Sequence, residues 1–266
     1  MSEHALPSRL GRTVSGAFRT CWGGLVDLLL PSVCGACGCP EVSVDGLCSR
    51  CAAALLAMVS LPACPRCGAT IGPNLPIRQD GCAACPSTLP RFDRVVRLGP
   101  YAPPLRDMIR ELKYRRREQM LRRLGELLSE AVGARVPPES LDLVSPVPMH
   151  WRRRLARGYD HARALGREMG RRLGLPVGHE LIRVRCTPPQ VTLARTRRQE
   201  ALRGAFAVRT KGTIEGAHVL LVDDVTTTGA TANEATRALL AGGASKVTLA
   251  VIAKAEPPTA YRRHDS

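Results

Sequence analysis

"VLLVDDVTTTGAT", residues 219–231, decides how this chain is read. Four apolar residues, Val219 to Val222, run into two acids, Asp223 and Asp224, and then into a turn of threonines and glycine. The apolar run reads as a buried strand, and the turn opens a helix expected from about Thr228 to Leu240. A helix that starts this way leaves backbone N–H groups without acceptors at the positive end of its dipole, and such ends bind anions, phosphate above all. Gly229 lets the backbone approach a ligand closely, and the hydroxyls of Thr227, Thr228 and Thr231 add hydrogen bonds with little bulk. Neither G-x-x-x-x-G-K-[ST] nor G-x-G-x-x-G occurs, so the two common nucleotide fingerprints do not apply. Asp223 and Asp224 would repel a phosphate that they touched; they suit ribose hydroxyls or a Mg²⁺ on the same ligand. The competing reading is a threonine-capped helix that follows two solvated acids.

Outward from this stretch, strands and helices alternate. A "GGA" stop ends the helix, and "KVTLAVIA" (246–253) is the next strand. Upstream, "RFDRVVRLGPY" reads as a short strand and "LDLVSPVPMH" as a strand over Leu141 to Val144 ending in a Pro-rich turn. Between them, Leu105, Met108, Ile109 and Leu112, then Met120, Leu121, Leu124 and Leu127, recur at helical spacing across a charged centre, as one broken helix or two. "RGYDHARALGREMGRRLG" is helical, with Ala162, Leu165, Met169 and Leu173 in a stripe; 181–204 reads as a long loop and "GAFAV" as a short strand. This order predicts an α/β domain with a mainly parallel sheet flanked by helices.

The chain has 266 residues, a formal charge of +16 and a pI near 10.1, with arginine far outnumbering lysine. That balance points to polyanionic company (nucleic acid or phosphorylated small molecules) or to solvated arginines alone. Aromatics make up 3%, which weakens a base-stacking platform for single strands. The stretch "SGAFRTCWGGLVDLLLPSVC" is interrupted by Arg19 and Asp27 and is too short for a membrane span; it reads as an amphipathic helix with Phe18, Trp22, Leu25, Val26 and Leu29 on one face. A cytoplasmic protein without a membrane span is expected.

Ten of the eleven cysteines precede residue 90. Eight form four C-x-x-C pairs, Cys34/Cys37, Cys48/Cys51, Cys64/Cys67 and Cys82/Cys85. Each pair offers two thiolates from one tight turn, and zinc takes four in a tetrahedron, so the pairs predict two closed, structural Zn²⁺ sites. An iron–sulfur cluster is the lesser alternative. Sequential pairing closes shorter loops than a cross-braced arrangement and is the favoured one. Cys21, Cys39 and Cys186 fall outside the pairs and read as small buried side chains.

"VLLVDDVTTTGAT" resembles the phosphoribosyl pyrophosphate (PRPP) binding motif of type I phosphoribosyltransferases. Together with "PVPMHWRRRLARGYDHARALG", "TPPQVTLARTRRQEALRGAFAV" and the cysteine pairs, it resembles the ComF family, a double zinc ribbon joined to a phosphoribosyltransferase domain. The resemblance spans about residue 20 to residue 254. With the readings of the residues above, it gives a layout of an N-terminal amphipathic helix over 1–33, a double zinc ribbon over 34–90, a phosphoribosyltransferase-like domain over 91–256 and a tail over 257–266. It implies that Asp223 and Asp224 grip the ribose hydroxyls and that Thr226, Thr227, Thr228, Gly229, Ala230 and Thr231 hold the 5′-phosphate. The turn at Pro148, Met149 and His150, with Arg157 nearby, would contact pyrophosphate. Residues 187–200 would form a mobile hood, with Gln190, Arg195 and Arg198 as its candidates. Asp223, Asp224 and Arg157 are thereby the candidate catalytic residues, with Mg²⁺ bound alongside PRPP.

The family typically reads Arg-Gly-Phe-Asn-Gln-Ala where this chain has Arg157, Gly158, Tyr159, Asp160, His161 and Ala162. No residue stands out as a general acid or base; His150 and His161 are candidates, though a histidine beside a turn is more often a packing residue. Three functions fit: transfer of a phosphoribosyl group to some acceptor, PRPP or nucleotide sensing with single-stranded DNA handled during natural transformation, and an adaptor whose zinc module docks protein partners; single-stranded DNA and DNA-uptake proteins are the candidate macromolecular partners. For the second, the basic stretch "WRRRLARGYDHARALGREMGRR" would meet DNA phosphates.

Overall fold

The computed structural model describes residues 33–41, 46–72, 81–86, 88, 90–115, 118–149, 159–185, 201–210 and 212–256. Among these, the sheet is built from β1 (Arg94–Pro100), β2 (Leu143–Pro146), β5 (His218–Thr226) and β6 (Lys246–Lys254), in the order β1-β6-β5-β2 and parallel throughout. A separate antiparallel pair, β3 (Leu181–Arg183) with β4 (Phe206–Val208), stands apart from it. The helices are α1 (Ser49–Val59), α2 (Leu105–Arg115), α3 (Glu118–Gly133), α4 (His161–Leu173) and α5 (Ala230–Ala241).

The apolar runs are explained by two-sided burial. Successive residues of a strand face opposite ways. Leu220 and Val222 of β5 pack with Val96, Leu98, Ala250 and Ile252 under α2, α3 and α4, while Val219 and Leu221 pack with Val247, Leu249 and Val251 under α5. Because α4 follows β2 on one face and α5 follows β5 on the other, the chain switches sides between these neighbouring strands. In open parallel sheets ligands bind at such a switch, outside the strands' carboxyl ends, which here carry the Pro146–Met149 turn and the turn after β5.

Glycines set the close approach of α4 to this end of the sheet. A Cβ on Gly166 would lie 2.7 Å from Pro146 Cγ, and one on Gly170 would lie 2.9 Å from the Leu175 carbonyl. The N-cap of α4 is Asp160, whose Oδ1 accepts from the Arg163 N–H at 3.1 Å. Asn and Asp cap equally well, so this position keeps its local role where the family pattern has Asn.

Three sequence expectations are corrected. The cysteine-rich segment contains the eleven-residue helix α1, which its turn-like composition hid and its run of alanines could have signalled. Residues 181–183, read as loop, are β3, too short to show a period. β5 continues through both acids to Thr226, and α5 begins at Ala230 instead of Thr228. The charged break near 116 separates two helices, and the N-terminal amphipathic stretch and the 257–266 tail lie outside the described residues.

Candidate functional site

The cysteines gather in sequential order, Cys34, Cys37, Cys48 and Cys51 in one cluster and Cys64, Cys67, Cys82 and Cys85 in the other, with all sulfurs of a cluster within 4.8 Å of one another. Separations within them include 3.8 Å (Cys37–Cys48), 3.7 Å (Cys64–Cys85) and 3.7 Å (Cys67–Cys82). A tetrahedron with zinc–sulfur bonds of about 2.3 Å has an edge of about 3.8 Å, whereas a disulfide brings sulfurs to about 2.05 Å. The residues present therefore fit structural Zn²⁺, bound as a closed tetrathiolate.

The knuckles repeat one another. Gly38 N–H donates to the Cys34 carbonyl at 2.9 Å and Gly68 N–H to the Cys64 carbonyl at 2.8 Å. Both glycines have φ of +75°, which a side chain would strain. Burial pushes the Cys34 thiol up, but N–H groups of Cys37, Cys48 and Ala36 outweigh it and bring it below the usual value; Cys37 falls to about 6, chiefly through the Cys39 N–H. Backbone N–H groups aimed at these two sulfurs favour the thiolate, the form that binds metal, whereas burial pushes the Cys51 and Cys67 thiols up. Cys39, expected to be buried, is half-exposed, and its thiol donates to the Glu41 carbonyl at 3.5 Å. Cys21 and Cys186 lie outside the described residues.

The second site is the turn between β5 and α5. Asp223 and Asp224 are half-buried at the carboxyl end of β5. Asp223 Oδ1 accepts the Asp224 N–H at 2.9 Å and Asp224 Oδ1 accepts the Val225 N–H at 2.6 Å, so each carboxylate is oriented by the backbone of the next residue. Gly229 is the N-cap of α5, with φ of +78°, and the Thr228 hydroxyl accepts the Ala230 N–H at 3.3 Å. Thr226 is buried and Thr227 is exposed. Sequence reasoning missed Lys254 at the end of β6, whose ammonium donates to the Thr227 carbonyl; only the parallel register, which sets Thr226 opposite Lys254, reveals it. It also missed Phe92 and Arg91. The Phe92 ring lies 3.9 Å from a Cβ placed on Gly229, and Arg91 N–H donates to Asn233 Oδ1 at 2.7 Å.

Pro148 and Met149 continue from β2 as expected and line a cleft of about 610 Å³ with Asp160, Arg163, Arg183 and Arg209. Its lining residues do not include the β5–α5 turn, so cleft and turn are separate features that flank β2 and β5. His161 is 3% exposed and packs against Tyr159 with ring centroids 5.0 Å apart, the burial expected of a packing histidine. His150, Arg157, Gln190, Arg195 and Arg198 lie outside the described residues. On α4, Arg171 and Arg172 pair with Glu168 at 2.7 and 2.6 Å, and Arg172 also with Glu126 at 3.3 Å, so that end of the basic stretch is balanced by acids. Among the described residues no helix is long and apolar enough to cross a membrane.

Comparison with known proteins agrees with this two-part layout. Residues 25–89 match the double zinc ribbon domain, and residues 162–266 match the phosphoribosyl transferase domain. The chain is 35% identical to the DNA utilization protein YhgH of Salmonella typhi over 230 residues, which is 83% of this chain and 96% of that protein. It is 31% identical to competence protein F of Haemophilus influenzae over 220 residues, 81% of this chain and 93% of that one. A distant structural likeness, with a TM-score of 0.35 and 22% identity, covers 54% of this chain and 27% of a glutamine PRPP amidotransferase from B. subtilis solved with ADP and GMP. Two cysteine tetrads, a parallel sheet with "DDVTTTGAT" at its switch point, and relatives aligned over nearly their whole length converge: the chain belongs to the ComF family, a double zinc ribbon joined to a phosphoribosyltransferase domain.

Proposed function

We propose that the crevice at the carboxyl ends of β2 and β5 binds PRPP or a related 5′-phosphoribosyl ligand together with Mg²⁺, in the service of DNA utilization or competence. The observation that carries this reading is the succession, along one turn, of two backbone-oriented carboxylates and a Gly229-capped helix start at the sheet's switch point. Helix-start N–H groups and the hydroxyls of Thr226, Thr227, Thr228 and Thr231 hold the 5′-phosphate, with Gly229 and Ala230 leaving room for it. Asp223 and Asp224 accept from the ribose hydroxyls, and their oxygens, with those of the ligand, are the hard donors that Mg²⁺ takes. Mg²⁺ held there would supply charge neutralisation on the pyrophosphate. By the family resemblance, the turn at Pro148, Met149 and His150, with Arg157, would contact the pyrophosphate, and Arg195 and Arg198 are the further candidates for it. Anchoring the remote phosphate orients the sugar carbon, which is how binding energy would serve a phosphoribosyl transfer. The acceptor is a question for turnover assays with a panel of bases. The names of the relatives support the link to DNA, and the location that goes with it is the cytoplasm.

Titration calorimetry with Mg-PRPP tests the reading. The wild type binds, and Asp223→Asn/Asp224→Asn loses at least ten-fold in affinity. A wild-type chain that binds neither PRPP nor a nucleoside monophosphate would end the proposal.

A further inference from the structure

The second cysteine knuckle touches the phosphate loop through two routes. Pro65 and Arg66 are the residues between Cys64 and Cys67. The Arg66 guanidinium donates to the carbonyls of Pro90 at 3.2 Å, Phe92 at 3.3 Å and Asp93, and Val95 N–H donates to the Pro65 carbonyl at 2.7 Å. The segment held this way carries the Phe92 ring that backs Gly229 and the Arg91 N–H that binds Asn233 in the first turn of α5. That is the first route.

The second route starts at Thr70, three residues past Cys67. Its N–H and hydroxyl donate to Glu256 Oε1 at 2.6 and 2.8 Å, and Arg97 donates to its hydroxyl oxygen at 2.6 Å. Glu256 ends a short extension of β6 in which Ala255 N–H donates to the Thr226 carbonyl at 2.8 Å and Lys254 donates to the Thr227 carbonyl. The first tetrad packs elsewhere. A Cβ on Gly35 would meet Met120 of α3 at 2.3 Å, and Leu47 and Leu55 join the core beneath α2 and α3.

We propose that the second tetrad, Cys64, Cys67, Cys82 and Cys85, is a positioning element for the phosphate loop, and that the first tetrad is not. Metal bound at the second tetrad fixes the knuckle. The knuckle, through Arg66 and Thr70, fixes Phe92 and Glu256, and these set the backbone from Thr226 to Gly229. A loop held in its binding geometry pays less ordering entropy when the ligand arrives. The inference rests on the loop being an anion cradle, as proposed above.

The test uses the full zinc-loaded chain and two readouts: hydrogen exchange of the 226–233 backbone, which needs no ligand, and Mg-PRPP affinity. Arg66→Ala leaves all eight cysteines in place; Cys82→Ser breaks the second tetrad and Cys37→Ser the first. Arg66→Ala and Cys82→Ser are expected to speed exchange over 226–233 at least ten-fold and to weaken PRPP at least ten-fold. Cys37→Ser is expected to speed exchange around 34–51 without changing it over 226–233. Unchanged exchange over 226–233 in Arg66→Ala would overturn the proposal, and so would an equal response there to Cys37→Ser. A wild type that does not bind PRPP, but whose loop still loosens in Arg66→Ala, defeats the ligand reading while supporting the brace.

Discussion

Replacing Glu256 by Gln isolates the charge that holds the zinc module against the sheet. The Arg97 side chain is 1% exposed and its Nη1 lies 3.6 Å from Glu256 Oε1, itself on a side chain 7% exposed. Burial pushes the Arg97 guanidinium below its ordinary pKa and Glu256 opposes that shift, so the ion pair compensates a desolvated cation. Gln keeps an oxygen able to accept from Thr70 N–H, so the substitution removes the charge and spares the hydrogen bond. At an effective dielectric of about 20, unit charges at that separation attract by about 4 to 5 kcal/mol. Stranding one partner of a buried pair costs about 3–5 kcal/mol in measured cases. For a chain of this size that corresponds to a fall in Tm of roughly 6–20 °C. The double variant Arg97→Met/Glu256→Gln, with the cation gone as well, is expected to recover part of the loss, because no uncompensated buried charge is then left. Thermal and urea unfolding of the zinc-loaded chain supply the measurement. If Glu256→Gln melts within 2 °C of the wild type, or the double variant is no more stable than the single, the pair does not do what the geometry assigns to it.

Three further outcomes follow from other parts of the molecule. Metal analysis of the chain purified without chelator is expected to give about two zinc ions per chain, and Cys67→Ser about one; a chain with neither zinc nor iron refutes the tetrathiolate assignment. Gly229→Ala forces a side chain to a φ of +78° and is expected to cost about 1–2 kcal/mol of stability. Gly229→Asn should cost less, and equal unfolding midpoints for the two would count against backbone strain. His218 at the start of β5 is 8% exposed, with Nδ1 2.8 Å from the Ser140 carbonyl and Nε2 2.9 Å from the Thr248 hydroxyl, and burial lowers its pKa. The unfolded chain therefore takes up this proton first as pH falls, so stability is full above about pH 6.5 and declines below it toward the folded-state pKa. His218→Asn is expected to flatten Tm between about pH 6.5 and 5, where carboxylates contribute little; an unchanged slope would rule out this histidine as its source.

Much of this protein is legible along the chain because its signals are local. Eight cysteines in four equal spacings announce two metal sites, since a C-x-x-C turn presents both thiolates by itself. Val219 to Val222 announce a strand buried on both faces, since no polar residue interrupts them. What the sequence hid falls into two kinds. β3, three residues long, and α1, set among cysteines and glycines, are too short or too masked by their neighbours to show a period. Lys254, Phe92 and Arg91 give no local sign of the turn between β5 and α5, because each reaches it or the helix it opens from a distant part of the chain. His161 stands beside a basic turn in the sequence, and only the fold shows that it is buried at the start of α4.

The sequence by itself therefore determined the two modules, the ligand class of the cysteines and the turn where an anion could sit, because each depends on residues within a few positions of one another. The tertiary structure decided the rest. Parallel register placed Lys254 on the turn after β5, the switch of α4 and α5 between faces made the ends of β2 and β5 a switch point, and the docking of the second knuckle joined that cysteine tetrad to the segments beside the turn. Such contacts link residues up to 186 positions apart. Local propensity carries no record of them, since only a folded sheet brings those backbones within hydrogen-bonding distance.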